Sequence, residues 1–205
     1  MLKLENITVL FDDLKALDHV NMEFMEGKIT GIIGTNGSGK STLMKVMTKL
    51  LKPQEGSVYL DQQLIQDKKK DLFAYRQEVN MVFQNPEQQL FYTIAKDDIG
   101  MALENLGYSK EECDKRVQEA IELMDIKELQ DRPVQYLSYG QKKKVAIAGM
   151  LALKPRFLLL DEPTAGLDPK GRDQMAMIMK KLVSNGTSII VTSHDMDLMY
   201  DCCDY

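Results

Sequence analysis

A glycine-rich run that contains one lysine lies between a short apolar segment and a segment with helical spacing of apolar residues. The run, Gly34–Ser41, matches G-x-x-x-x-G-K-[ST] in full. Glycines let backbone N–H groups face phosphate oxygens, and the N-terminus of the following helix adds positive dipole. In that setting Lys40 would bridge the β- and γ-phosphates of a nucleotide, and the Ser41 hydroxyl would ligate Mg²⁺. The pattern predicts a nucleotide-phosphate site, with an ordinary glycine turn as the alternative.

Two adjacent carboxylates follow a second apolar run. Phe157–Leu160 reads as a buried strand, and Asp161 and Glu162 come directly after it. Asp161 is placed for direct or water-mediated contact with Mg²⁺, and Glu162 could polarise an attacking water as general base. An acidic pair after a strand can also cap a helix, but Pro163-Thr164 and the upstream phosphate loop favour the catalytic interpretation.

Two further polar residues follow predicted strands. His194 comes after the strand Ser188–Thr192, at the end where open α/β sheets place their ligands, so a γ-phosphate contact is favoured over a structural hydrogen bond. Gln84 comes after the strand Val79–Phe83, and its amide could meet Mg²⁺ or water, although a glutamine at a strand end is often just solvated. His19 lies in a polar stretch and is interpreted as structural.

The remaining elements are placed by apolar periodicity. Leu2 and Leu4, and later Val20 to Phe24, alternate as in half-buried strands, while Ile29 to Ile33 reads as a fully buried one. Further strands and helices are predicted at Ser41–Leu51 (helix, stopped by Pro53), Ser57–Leu60 (strand), Thr93–Leu106, Ser109–Met124, Tyr139–Leu153 and Pro169–Val183 (all helices). Ser109 and Glu112 form a predicted capping box. Alternating strands and helices imply a parallel sheet, with a helical subdomain inserted at about 85–154.

Bulk properties set limits on the class of protein. A chain of 205 residues suits one domain, and a net charge of −5 argues against nucleic acid as a partner. No apolar stretch approaches the roughly 20 residues that cross a bilayer, and no signal peptide is visible, so a cytoplasmic protein is expected. The three cysteines form no metal-binding or disulfide pattern, and Lys68–Lys70 is interpreted as a solvated turn.

With these residues placed, the chain resembles the nucleotide-binding subunit of ATP-binding cassette (ABC) transporters over essentially its whole length. The motifs occur in the family's order: Walker A at Gly34–Ser41, Q-loop at Gln84, signature at Leu137–Gln141, Walker B at Phe157–Glu162, D-loop at Ala165–Asp168 and switch histidine at His194. The resemblance implies an α/β fold: a P-loop NTPase core, mostly parallel sheet flanked by helices, with an N-terminal antiparallel β part and the inserted helical subdomain.

The resemblance also implies ATP and Mg²⁺ as cofactors and a set of site residues. Phe11 stands where the family places an aromatic residue, more often tyrosine, that stacks on adenine; a core role is the alternative. The implied nucleotide-binding residues are Phe11, Gly34, Thr35, Asn36, Gly37, Ser38, Gly39, Lys40, Ser41, Thr42, Ser138 and Gly140. The implied catalytic residues are Glu162, His194 and Gln84, and the implied metal ligands are Ser41, Gln84 and Asp161.

In this family two subunits pack head to tail, so that Ser138 and Gly140 of one chain contact the γ-phosphate held by the other. The residues agree, because Ser138 precedes a predicted helix whose N-terminal dipole favours an anion. Ser138 could instead only cap that helix, and both can hold. The implied partners are a second ABC ATPase subunit, either a copy of this chain or a relative, and a transmembrane transporter subunit.

A finer resemblance is to the cobalt/nickel and energy-coupling-factor branch. It is carried by FQNPEQQLF at 83–91, DDIG at 97–100, NLG at 105–107 and LSYGQKKKVAIAG at 137–149. Tyr139, where the family usually has glycine, is part of this resemblance. Two features depart from it: Lys144 replaces a frequent arginine, and the C-terminal extension common in the branch is missing. Only a short helical segment follows His194, and Asp201–Tyr205 reads as the lead into another strand, which predicts a truncated or unusually short C-terminus of a single domain, 1–205.

These features predict an ATP-hydrolysing subunit, peripheral at the cytoplasmic face of the cell membrane, that drives import of cobalt, nickel or a vitamin-type cofactor. One alternative is a soluble ABC ATPase acting on ribosomes or DNA, although such proteins often carry two cassettes or a long coiled-coil insert. Another is a module that senses ATP without hydrolysing it, which the intact Glu162 and His194 disfavour.

Overall fold

The computed structural model describes every residue from Met1 to Tyr205. Its strands are β1 (Leu2–Phe11), β2 (Leu14–Phe24), β3 (Ile29–Ile33), β4 (Glu55–Leu60), β5 (Gln63–Leu64), β6 (Val79–Val82), β7 (Phe157–Asp161) and β8 (Ser188–Ser193). Its helices are α1 (Lys40–Met47), α2 (Lys69–Glu78), α3 (Ala95–Asn105), α4 (Lys110–Met124), α5 (Tyr139–Leu151), α6 (Pro169–Ser184) and α7 (Met196–Cys202). No helix combines the length and the apolar character needed to cross a bilayer.

The strands form two separate sheets. One is antiparallel, in the order β2-β1-β4-β5, and the other is parallel, in the order β3-β8-β7-β6. Helices α3, α4 and α5 lie between β6 and β7 along the chain and pack against one another. The predicted fold class, a parallel core with an N-terminal antiparallel part and a helical insertion, is confirmed.

The parallel sheet separates two apolar cores because successive side chains of a strand point to opposite faces. Leu158 and Leu160 of β7 belong to the core shared with the inserted helices, α6 and α7. Phe157 and Leu159 belong to the core shared with α1 and the antiparallel sheet. Both faces of β7 are therefore buried, which explains its uninterrupted apolar sequence and fixes the strand that carries the acidic pair.

Helix α1 is shorter than predicted. It ends at Met47 rather than Leu51, because Lys49 has a left-handed φ of 55° and the backbone amides of Leu50 and Leu51 both donate to the Lys45 carbonyl. The helix predicted from Thr93 starts at Ala95, since Ile94 is extended and forms a β-bridge with Pro133. Helix α5 ends at Leu151, two residues earlier than predicted.

Helix α2 was not predicted from the sequence. Lys69 and Lys70, interpreted as part of a turn, begin this helix, although all three lysines of the run are solvent-exposed. Tyr75 is the buried residue of α2, so the helix has no apolar stripe; the Tyr75 hydroxyl donates to the Met47 carbonyl. The two-residue strand β5 was also missed.

The two predicted helix caps differ. The Ser109 hydroxyl accepts from the Glu112 amide, but the Glu112 carboxylate binds Arg116 instead of completing the capping box. At Ser138 both bonds of a capping box are present: the Gln141 amide donates to Ser138 Oγ, and the Ser138 amide donates to Gln141 Oε1. The start of α5, which carries the signature motif, is therefore firmly held.

Residues after α7 return to the edge of the parallel sheet. The Asp204 amide donates to the Ile29 carbonyl over 2.8 Å, and the Gly31 amide donates to the Tyr205 carbonyl over 3.0 Å. These two bonds place Asp204 and Tyr205 alongside β3. The strand-like lead predicted over Asp201–Tyr205 is wrong at its start, because Asp201 and Cys202 belong to α7.

Candidate active site

The phosphate loop connects β3 to α1 and lines an open cavity of about 620 Å³. Gly39 is the N-cap residue of α1, and its φ of 89° is left-handed. A Cβ at Gly39 would lie 2.5 Å from the Ala16 carbonyl oxygen, so a side chain has no room there. The backbone amides at the start of α1 have no side-chain cap and remain free for an anion.

Lys40 is held inside this loop. Its side chain is buried, and its ammonium donates to the carbonyls of Gly34 and Thr35 over 2.7 and 3.0 Å. Lys40 Nζ also lies 3.9 Å from Glu162 Oε1. The phosphate loop and the acidic pair, distant in the sequence, therefore meet at this ammonium.

The acidic pair at the end of β7 is positioned by β8. Parallel pairing places Asp161 opposite Thr192, and the Thr192 hydroxyl donates to Asp161 Oδ1 over 2.7 Å. The same hydroxyl accepts from the Glu162 amide over 3.0 Å. Thr192 is completely buried, so one hydroxyl fixes both acidic residues.

Glu162 has an unusual conformation and an incomplete hydrogen-bond set. Its φ of 47° is left-handed, a strained conformation for a residue with a side chain. His194 Nδ1 lies 2.9 Å from Glu162 Oε2, while Glu162 Oε1 is buried without a hydrogen-bond partner. A buried carboxylate oxygen without a partner is costly, so Oε1 is available to a group that enters the cavity.

The cavity also collects residues from outside the phosphate loop. Phe11, at the end of β1, is half exposed, and it lines the cavity together with Leu14, Ala16, Gln84 and Glu162. The loop residues Asn36 to Thr42 line it as well. Phe11 is thus placed on the wall of the cavity and not in the core, and Gln84 lines the same cavity as Glu162.

Ser138 and Gly140 do not join this cavity. They line a second one, of about 490 Å³, with Gly166, Leu167 and Asp168, and the two cavities share no lining residue. The connection between them is indirect, because the Tyr139 hydroxyl donates to the Gln84 carbonyl over 3.1 Å. One chain therefore contains the phosphate loop and the signature motif as two separate surfaces.

Comparison with known proteins identifies the family. The family profile described as ABC transporter matches residues 17–165. The chain belongs to the ABC transporter family. It is 50% identical, over 100% of its length and 77% of the relative's, to a putative ABC transporter ATP-binding protein from Listeria monocytogenes.

Two kinds of relative confirm the predicted branch. The chain is 46% identical to the cobalt import ATP-binding protein CbiO of Salmonella typhi, over 100% of this chain and 75% of that one. It is 40% identical to the energy-coupling factor transporter ATP-binding protein EcfA of Methanosphaera stadtmanae, over 92% of this chain and 68% of that one.

Solved structures agree with this membership. CbiO1 from Clostridium perfringens, part of the ABC transporter complex CbiONQ, superposes with a TM-score of 0.91 at 38% identity, covering 99% of this chain and 82% of that one. The cassette MJ0796, solved as a dimer after hydrolysis with ADP and Pi bound, superposes with a TM-score of 0.87 at 31% identity, covering 98% and 91%. The chain is thus an ABC ATPase that binds ATP, and its activity is ATP hydrolysis.

The oxygen donors beside the ABC phosphate loop suit Mg²⁺. Ser41 and Gln84 line the cavity, and Asp161 lies next to Glu162 with one oxygen occupied by Thr192. No group of three or more acidic, histidine or cysteine side chains is gathered to hold a metal. Hydroxyl, amide and carboxylate oxygens are the hard donors that Mg²⁺ accepts, and an incomplete protein shell is usual where phosphates supply the other ligands.

Two residues of this region were not found from the sequence. Thr192 could have been noticed as a hydroxyl in the last positions of an apolar strand. Lys143 is almost fully buried, at 2% exposure, although it lies within a run of three lysines. Helical spacing could have indicated the burial of Lys143, since it shares one stripe of α5 with the buried Ile147 and Leu151.

Proposed function

We propose that this ABC ATPase is the energy-supplying subunit of a membrane importer for cobalt, nickel or a vitamin-type cofactor, peripheral at the cytoplasmic face of the cell membrane. The observation that carries the catalytic part is the free Oε1 of Glu162, buried beside the Lys40 ammonium at the cavity. The cobalt-import and energy-coupling-factor relatives support the importer and its class of cargo.

The residues divide the work of hydrolysis. Lys40 and the loop amides hold the β- and γ-phosphates, and Phe11 offers its ring to adenine. Glu162 accepts a proton from the attacking water through Oε1. His194 is hydrogen-bonded to Oε2 and orients the carboxylate. Ser41, Asp161 and Gln84 would hold Mg²⁺, which would neutralise charge on the phosphates.

A second ABC subunit completes the site. The separate signature cavity supports this step, because Ser138 and Gly140 lie at the N-terminus of α5, where backbone amides and helix dipole favour the γ-phosphate of a nucleotide on the facing subunit. The dimeric relative bound to ADP and Pi supports the same arrangement. ATP then closes the dimer, hydrolysis reopens it, and a transmembrane partner receives the movement.

The importer role is tested by isolating the native complex. A tagged chain is purified from detergent-solubilised membranes, its partners are identified by mass spectrometry, and the complex is reconstituted in vesicles. We expect a transmembrane subunit, and uptake of Co²⁺, Ni²⁺ or a vitamin from a test panel that requires ATP and is lost in the Glu162→Gln complex. Recovery of the chain with ribosomes or DNA, and without a membrane protein, would support the alternative of a non-transport ABC ATPase.

A further inference from the structure

Lys143 of α5 binds the backbone directly after the acidic pair. Its ammonium donates to the carbonyls of Glu162, Pro163 and Ala165 over 3.0, 2.9 and 2.8 Å. An ammonium has three N–H donors, so the donor set of Lys143 is fully used on this single turn. The side chain is 2% exposed, and no solvent competes for these bonds.

Burying the Lys143 ammonium costs desolvation free energy, and its hydrogen bonds to the turn offset that cost. Burial lowers the pKa of Lys143 to about 8, although the nearby carboxylates of Glu162 and Asp161 act to raise it. An apolar side chain of the same length would avoid that desolvation. The carbonyl oxygens of Pro163 and Ala165 would then have no donor, and the Glu162 carbonyl would keep only the Ala165 amide. The first residue of this turn, Glu162, already has a left-handed φ of 47°.

The structure also connects this turn to the signature motif. Lys143 lies one helical turn after Tyr139, and its ammonium is 5.2 Å from the centre of the Tyr139 ring. A Cβ on Gly166 of the D-loop would lie 3.1 Å from the same ring. The first turns of α5, which begin at the Ser138 cap, therefore contact both the turn after Glu162, through Lys143, and the D-loop, through Tyr139.

We propose that Lys143 is a positioning residue for Glu162: it neutralises the converging carbonyls and so holds Glu162 in the strained conformation that directs Oε1 into the ATP cavity. This inference rests on the proposed role of Glu162 as general base. It also implies that a displacement of α5 at the signature surface reaches the carboxylate of the other cavity through three hydrogen bonds.

The test compares Lys143→Met with the wild-type chain, each assembled with its native partner subunits. Methionine keeps most of the volume and apolar length but removes the donors. Misplacement of a reacting group lowers rates strongly, so we expect kcat for ATP hydrolysis to fall by roughly 10- to 100-fold with KM for ATP within about twofold, since the phosphate loop is untouched. Amide hydrogen exchange across residues 162–168 should accelerate, while exchange across the phosphate loop stays unchanged.

Three further variants make the result decisive. Lys115→Met, an exposed lysine of α4, serves as the matched control and should behave as wild type. Lys143→Gln restores N–H donors without charge and should give an intermediate kcat; it replaces Lys143→Met if the latter does not fold. Glu162→Gln tests the underlying role and should be inactive.

The outcomes separate the two claims. Wild-type kcat in both Lys143 variants, beside an inactive Glu162→Gln, overturns the positioning role and leaves the general base in place. A lowered kcat with unchanged exchange at residues 162–168, or a raised KM with unchanged kcat, also overturns it. Hydrolysis by Glu162→Gln at the wild-type rate would instead overturn the proposed function of the site.

Discussion

The two ends of the parallel sheet carry similar charges in opposite surroundings. At the amino end, the Arg156 guanidinium pairs with Glu26, Asp61 and Glu78, and the terminal ammonium of Met1 pairs with the first two. These groups are partly solvated, and each has a partner of opposite charge. At the carboxyl end the charged groups are buried, and one carboxylate oxygen lacks a hydrogen-bond partner.

The charged cluster at the amino end has a structural role, whereas the cluster at the carboxyl end has the features of a catalytic site. The amino-end network joins the starts of β6 and β7 to the antiparallel sheet and satisfies its own charges, so it has no capacity left for a ligand. The charged residues at the carboxyl end are buried, and one carboxylate oxygen has no hydrogen-bond partner. This is expected of a site where a bound ligand supplies the missing partner. Changes at the two ends should therefore affect different measurements.

Among the changes that compare the two ends of the sheet, the largest effect is expected at Lys40. Replacing it with methionine removes the ammonium that lies between the phosphate loop and Glu162, and a hydrogen bond to a charged group contributes roughly 1.5–3 kcal/mol. ATP affinity should fall by about 10- to 100-fold, measured by titration calorimetry. Lys15→Met, in the same cavity but paired with Asp18, is the control and should weaken binding much less. Equal losses in both variants would contradict the special position of Lys40.

A smaller effect is expected at Thr192. Replacing it with valine keeps the shape but leaves the buried Glu162 amide unpaired, which costs about 1–3 kcal/mol. Both the free energy of unfolding, measured in urea, and kcat should fall. Thr187→Val, directly before β8 at the amino end of the parallel sheet, should change the free energy of unfolding but not kcat. An unchanged kcat in Thr192→Val would show that this hydroxyl does not position the acidic pair.

The smallest effect is expected at Arg156, and it depends on pH. Arg156 and the Met1 ammonium lower the pKa of Asp61, and the Met1 ammonium and Arg156 lower that of Glu26, from ordinary values of 3.8 and 4.5. Folded-state pKa values below the unfolded ones stabilise the protein above pH 4–5 and lose this contribution as the pH falls through them. Because these side chains are partly solvated, Arg156→Met should cost only about 1 kcal/mol at pH 7, and less at pH 3.

The measurement for Arg156 is urea unfolding at both pH values, with ATP turnover recorded at pH 7. Turnover per folded molecule should match the wild type, since the network touches no residue of the cavity. A loss of kcat without a loss of stability would remove the distinction between the two ends of the sheet.

The sequence predicts the motifs well because each lies at a place that local rules define. Gly34–Ser41 and Asp161-Glu162 follow buried strands whose apolar runs are unmistakable, and parallel strands end at one edge. The sequence shows Thr192 as a hydroxyl near the end of an apolar strand, but it could not predict the two bonds of that hydroxyl, because they depend on the register of β7 against β8. It also missed the burial of Lys143, because a run of three lysines resembles a solvated surface, and helix α2, which buries one side chain and shows no apolar stripe.

The central claim is that Glu162, with its free Oε1, is the general base of this ABC ATPase. The most direct measurement is phosphate release by the Glu162→Gln chain in its assembled complex, together with ATP binding by the same variant. General-base catalysis contributes about 10²- to 10⁴-fold, so phosphate release should fall by that factor while ATP affinity stays at the wild-type value. Phosphate release at the wild-type rate would contradict the account.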